Sequence, residues 1–223
     1  MKIELVIFDC DGVLVDSEPI MNRVFAEQLH KIGLALPVSE VVRRFVGKTR
    51  DQCIALAAEI RGSELPRRFG ADWDAAAFDA LRKEVKPVAG VPEVLRDLAI
   101  PYCAASNGMP DRVRVTLAAA GLLPYFEDRI FTSSDVANPK PAPDLFLHAA
   151  ASMKAAPAGC VVIEDTPTGV MAARAAGMRA FGYIGGSASD AHELERSGAT
   201  VVFDDMSRLP GLLQEHEQRS DIP

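Results

Sequence analysis

The chain has 223 residues, a net charge of −7, and a composition that is 48% hydrophobic and 25% charged. That is the balance of a globular protein long enough for a full core plus an inserted unit. The acidic balance excludes a nucleic-acid partner held by bulk charge; no apolar run reaches a membrane span, and Met1-Lys2-Ile3-Glu4 lacks a signal-peptide pattern.

The four cysteines, Cys10, Cys53, Cys103 and Cys160, lie far apart with no CxxC spacing. Buried free thiols in a reducing, cytoplasmic setting are the expected reading.

The apolar run 3–8 reads as a buried strand, and it ends in Phe8-Asp9-Cys10-Asp11-Gly12. Residues two apart in extended chain point to the same side, so Asp9 and Asp11 face one site and Cys10 turns away with Phe8. Two acids at the end of a buried strand need something to offset their charge, such as a metal ion. An Asp-Gly turn is the plainer alternative for this stretch taken alone.

Ser17 is placed as the N-cap of a helix whose stripe is Ile20, Val24, Leu29 and Ile32, with Gly33 as its stop. Further helices are expected at 39–45, 51–60 and 72–85, with a two-cation loop, Val46-Gly47-Lys48-Thr49-Arg50, between the first two of these. No strand signal occurs from 16 to 85. After Pro87, Gly90 and Pro92, strand and helix signals alternate. Strands are expected at 102–105, 129–131, 160–163, 180–183 and 200–203. Helices are expected at 92–98, from Pro110 to near Gly121, at 143–153, from Pro167 to Gly177, and at 190–196. The tail after Leu213 is polar and expected to fray. Such alternation predicts an α/β fold, a Rossmann-like, mostly parallel sheet with helices on both faces. The sheet domain is assigned to residues 1–15 and 86–223, and an inserted α-helical domain to 16–85.

Ligands of open α/β sheets bind beyond the carboxyl ends of the strands. Those ends carry Asp9 and Asp11, then Ser106-Asn107, then Glu164-Asp165, while Lys140 lies in a loop with three prolines, Pro139, Pro141 and Pro143. Carboxylates, a hydroxyl, an amide and a lysine on one edge of a sheet suit phosphoryl transfer. Mg²⁺ takes oxygen ligands and keeps water, a carboxylate serves as nucleophile, a second one moves protons, and the donors stabilise the phosphoryl oxygens.

At this point the chain resembles the haloacid dehalogenase (HAD)-like hydrolase superfamily, in the branch with an α-helical cap. Asp9-Cys10-Asp11-Gly12-Val13-Leu14 is similar to the family's first motif, Ser106 to the second, Lys140 to the third, and Glu164-Asp165 to the fourth. The resemblance implies Asp9 as nucleophile and Asp11 as general acid/base. It implies Mg²⁺ held by Asp9, the Asp11 carbonyl and Asp165, with Glu164 beside it, and phosphate held by Ser106, the Asn107 backbone and Lys140.

Within that branch the chain looks like the sugar-phosphate phosphatases, β-phosphoglucomutase and 6-phosphogluconate phosphatase. The implied reaction is hydrolysis of a small phosphorylated metabolite, a sugar phosphate or sugar-acid phosphate, through an aspartyl phosphate. A phosphomutase is the alternative, disfavoured because Met21 stands where the mutase has a cap histidine. The family's dehalogenases dispense with the second aspartate and the metal, so Asp11 and the Glu164-Asp165 pair disfavour that reading, and an idle scaffold would not keep the set intact. Lys48 or Arg50, on the loop resembling the cap specificity loop, is expected to bind a second anionic group of the substrate, a carboxylate or distal phosphate. A monomer or weak homo-oligomer is expected, with cap linkers near Val15 and Lys86 acting as hinges.

Overall fold

The computed structural model describes residues 2–46, 48–186 and 190–218. Its strands are β1 (Leu5–Phe8), β2 (Tyr102–Ser106), β3 (Ile130–Thr132), β4 (Cys160–Glu164), β5 (Arg179–Tyr183) and β6 (Val201–Phe203). They form one sheet in the order β3-β2-β1-β4-β5-β6, and every pairing is parallel. Every residue of β1, β2 and β4 is buried, as a parallel sheet covered on both faces requires.

The helices are α1 (Glu18–Lys31), α2 (Val38–Phe45), α3 (Arg50–Arg61), α4 (Phe69–Glu84), α5 (Val91–Asp97), α6 (Pro110–Ala119), α7 (Leu123–Phe126), α8 (Asp144–Ser152), α9 (Pro167–Ala175), α10 (Ala191–Arg196) and α11 (Leu209–Gln218). Residue contacts divide the chain into one unit of residues 1–16 with 86–223 and another of residues 17–85.

In the sheet unit, alternation along the strands sends Leu5, Ile7, Cys103, Ala105, Cys160 and Val162 to one face, where they pack on α8 and α9 through Phe146, Ala149, Val170 and Ala173. Phe8 points to the other face and meets the Tyr102 ring edge-on at 6.1 Å, and Tyr102 in turn meets Phe126 of α7 at 5.6 Å. Each fully buried side chain of this size contributes about 1.5–3 kcal/mol. At the crossing to the second unit, the Asp16 N–H donates to the Lys86 carbonyl at 3.0 Å, and Val15 forms an antiparallel bridge with Pro87.

The helical unit is built around Phe25, whose ring lies 5.0 Å from Phe45, 6.2 Å from Phe69 and 4.2 Å from Trp73. Aromatic pairs of this kind add about 0.5–1.5 kcal/mol beyond area. Thr49 caps α3 in a reciprocal box: its hydroxyl accepts from the Gln52 N–H, and the Gln52 side chain accepts from the Thr49 N–H at 2.8 Å.

Three expectations are corrected. Ser17 occupies the N-cap position of α1 but has helical backbone angles and makes no side-chain capping bond. The fourth helix begins at Phe69, three residues early, because Phe69 itself packs into the Phe25 cluster. The polar tail does not fray at Leu213. It continues α11 to Gln218, anchored by buried Leu209, Leu212 and Leu213, by the Glu217 carboxylate accepting from the Ile3 N–H at 2.7 Å, and by His216 against the Phe181 ring. Gly47 of the two-cation loop and the tail beyond Gln218 lie outside the described residues.

Candidate active site

The chain runs β1 to β2 to β3 in one direction and then returns to place β4 on the other side of β1. The crevice between β1 and β4 is therefore the point where strand order reverses, the place where such sheets bind ligands. Asp9 follows β1 there, and its N–H continues the ladder by donating to Ile163 at 2.9 Å. Asp9 and Glu164 thus stand at neighbouring strand ends.

Lys140 joins them. Its Nζ donates to Asp9 Oδ1 at 2.6 Å, Glu164 Oε1 at 2.8 Å and the Ala105 carbonyl at 2.8 Å, so all three ammonium donors are used. The ammonium also lies 4.6 Å from the Phe146 ring centre. Side-chain exposure is 3% for Lys140, 12% for Asp9 and 1% for Glu164, so this is a buried triad in which water cannot screen the charges. Burial pushes the Asp9 carboxyl up to about 7, with Lys140 opposing the rise. Burial works against the Lys140 charge too, but Asp9 and Glu164 outweigh it and hold the ammonium above the usual lysine range.

Glu164 is engaged on both oxygens. Oε2 accepts from the Thr166 N–H at 3.0 Å and the Thr166 hydroxyl at 2.8 Å, while Thr166 caps α9 by accepting from Gly169. Oε1 of Glu164 holds Lys140, and Oε2 holds the start of α9. Asp165 is 2% exposed, and its carboxylate packs directly on Gly12, where a Cβ would overlap it. Gly12 has φ +82°, which also excludes most side chains. The turn around it is tied by the Gly12 N–H to the Val15 carbonyl at 2.9 Å and the Leu14 N–H to the Cys10 carbonyl at 2.9 Å.

Ser106 ends β2, buried, and its Oγ accepts from the Gly108 N–H at 3.0 Å, leaving its hydroxyl proton to give. The Asn107 side chain is bound to the backbone of Lys140 at both ends, 3.0 Å each way, so it holds the lysine loop. The resemblance assigned the Asn107 backbone to phosphate; this side-chain tie is a separate contact that the sequence did not reveal.

Asp11 is half-buried, and Nη2 of Arg112, on the first turn of α6, donates to both its oxygens at 3.2 Å. Sequence reasoning missed Arg112. The signal was present: a cation on the helix that leaves the Ser106 loop falls on the same sheet edge.

Lys48 and Arg50 belong to the helical unit. Lys48 is exposed. Arg50 is paired with Asp74, Nη2 to Oδ2 at 2.7 Å and Nε to Oδ1 at 3.0 Å, which ties α3 to α4. The four histidines contribute nothing to the triad.

The oxygen set fits a hard cation. Asp9 and Asp165 are acids buried at this edge, and the bare Gly12 lets the Asp165 carboxylate lie against the loop after β1. Among the described residues no three His, Cys, Asp or Glu side chains gather as a metal cage. Two carboxylates and a carbonyl suit magnesium, which keeps several waters, and not zinc.

A profile of the haloacid dehalogenase-like hydrolases matches residues 3–177, and the chain belongs to that family. It is an enzyme of the HAD-like hydrolase class, with phosphatases among its curated relatives. Among curated relatives it is similar to the 6-phosphogluconate phosphatase of Escherichia coli K12, 30% identical over 213 residues, covering 95% of each chain. Among solved structures, a conserved haloacid dehalogenase-like protein of unknown function from Agrobacterium tumefaciens is 36% identical with a TM-score of 0.87, over 96% of this chain and 99% of that one. A HAD family hydrolase from Deinococcus radiodurans with bound phosphate and sodium is 32% identical with a TM-score of 0.84, over 96% of each chain.

Proposed function

We propose that the protein is a Mg²⁺-dependent phosphatase that hydrolyses a small sugar phosphate or sugar-acid phosphate, such as 6-phosphogluconate, through a phosphorylated Asp9. The observation that carries this reading is the buried Asp9–Lys140–Glu164 triad at the β1/β4 crevice. A carboxylate in direct contact with a committed ammonium is positioned to attack, and the ammonium is positioned to receive charge from a phosphoryl oxygen.

In the first half-reaction an Asp9 oxygen attacks phosphorus, the P–O bond to the leaving group breaks, and Asp11 gives its proton to the leaving oxygen. In the second, Asp11 takes a proton from water, the water oxygen attacks phosphorus, and the Asp9–phosphorus bond breaks to release inorganic phosphate. Ser106 donates to the equatorial oxygens, and Lys140 turns to them the donor that Asp9 holds in the free protein. Asp9, the Asp11 carbonyl and Asp165 would hold Mg²⁺, which supplies charge neutralisation between the acids and the phosphate dianion. The fit of the oxygen set at Gly12, the 6-phosphogluconate phosphatase relative and the phosphate- and sodium-bound neighbour support the reading.

In this reading residues 16–85 form the cap, with Lys48 and Arg50 as its candidates for substrate selection. Arg50 has the weaker case, since Asp74 already meets its charge.

The test is phosphate release from a panel of sugar phosphates and sugar-acid phosphates, with Mg²⁺ and with a chelator. Release that needs Mg²⁺ and disappears in Asp9→Asn is the expected result; no release from any phosphomonoester overturns it.

A further inference from the structure

The two cations of the sheet-edge site are in different situations. Lys140 has no donor to spare. Arg112 carries five N–H donors and shows one nitrogen in contact, at 3.2 Å from each Asp11 oxygen. That is longer than the ~2.7–2.9 Å of a tight charge-assisted bond. Nε of Arg112 is buried with no partner, and among the described residues Nη1 meets none. The side chain is nevertheless 34% exposed, beside an Asp11 side chain that is 32% exposed. A half-open guanidinium with a loose single-nitrogen contact can turn its terminal nitrogens to a planar anion.

Its place says which anion. In the phosphatase reading, Asp11 exchanges a proton with the leaving-group oxygen, so a guanidinium resting on Asp11 stands beside the leaving group, while Lys140 serves the transferring phosphoryl.

We infer that Arg112 is a specificity-determining residue that pairs with a carboxylate on the leaving group, so that the enzyme takes phosphorylated hydroxy acids in preference to neutral polyol phosphates of equal length. This rests on the phosphatase reading for the role of Asp11. It places acid recognition on the sheet unit, apart from the Asp74-bound Arg50.

The experiment reads binding without turnover. Dissociation constants are measured by calorimetry with Mg²⁺ in the Asp9→Asn background, with Arg112 intact and as Arg112→Gln. The probes are two matched pairs: 6-phosphogluconate with glucitol 6-phosphate, and 3-phosphoglycerate with glycerol 3-phosphate. With Arg112, the acid of at least one pair binds about tenfold to a hundredfold tighter than its neutral partner, the worth of one charged hydrogen-bonded pair. Arg112→Gln removes that preference and moves the neutral ligand less than about threefold. Arg112→Lys, which keeps a point charge without the fork, retains part of it; matched melting curves show that the variants are folded. No acid preference in either pair with Arg112 present, or equal weakening of both members in Arg112→Gln, overturns the inference. Phosphate release by the Asp9-intact protein is scored separately: its absence beside an Arg112-dependent acid preference defeats the phosphatase reading alone.

Discussion

Asn107 and Lys140 exchange two hydrogen bonds, the Asn107 Nδ2 donating to the Lys140 carbonyl and the Lys140 N–H donating to Asn107 Oδ1, each at 3.0 Å. An amide side chain from the end of β2 thereby fixes the backbone from which the buried ammonium reaches Asp9. Asn107→Ala leaves a half-buried N–H and carbonyl without partners, at a cost of about 1–3 kcal/mol, which lowers Tm by about 2–4 °C per kcal/mol in a chain of this size. The same change lowers kcat at least about tenfold, since Lys140 loses its placement. Calorimetric melting and phosphate release check both; a stable variant with unchanged kcat would remove Asn107 from the positioning of Lys140.

Gly169 and Gly211 give opposite signs for one substitution. Gly→Ala inside a helix ordinarily stabilises by about 0.5–1 kcal/mol. Gly211 lies in α11 with nothing near its missing Cβ, so Gly211→Ala follows that rule. At Gly169 in α9 the Cβ would overlap the Glu164 carboxylate, which cannot move without releasing Lys140 and Thr166. Gly169→Ala is therefore destabilising, by about 1–3 kcal/mol of overpacking, and lowers activity with it. Urea titrations of the two variants read the sign directly.

Asp9→Asn abolishes turnover, by at least about a thousandfold on the scale of lost nucleophiles, without loss of fold. The pH dependence follows from burial. The folded carboxyl sits near 7 against the usual 3.8. A raised carboxyl binds its proton more tightly in the folded protein, so the stabilisation is complete below the unfolded value and is lost as pH rises through about 7. In chelator, wild-type stability falls relative to Asp9→Asn between about pH 4 and 7. Denaturation at several pH values tests this; a difference that grows the other way removes burial as the dominant cause.

All four cysteines are free and buried, and burial raises every thiol, Cys160 to about 11 and Cys10, Cys53 and Cys103 in the same direction. A thiol whose pKa is raised stays protonated at pH 8, and the thiolate is the reactive form. Native protein therefore reacts slowly with a disulfide reagent at pH 8, and four equivalents react after denaturation. Rapid native labelling of Cys10 would show that the loop after β1 opens.

The local pattern of this chain determined most of its elements and which acids, hydroxyl and amide stand at the strand ends. The apolar runs before Asp9, Ser106 and Glu164 are strands because their residues are β-prone and buried throughout. The alternation after Pro87 required a parallel sheet, and strand-end acids in such a sheet converge on one edge by topology alone. What no local signal carries is which polar atoms meet once the ends converge. Lys140 lies 131 residues from Asp9, and Arg112 lies 101 from Asp11. Their partners depend on loop paths and on space such as that left by Gly12 and Gly169. The same holds for Arg50, whose charge is met across helices by Asp74, and for the polar tail that three buried leucines turn into α11. Periodicity and composition report burial, which is a property of one segment; a hydrogen bond is a property of two, and only the tertiary structure decides the second.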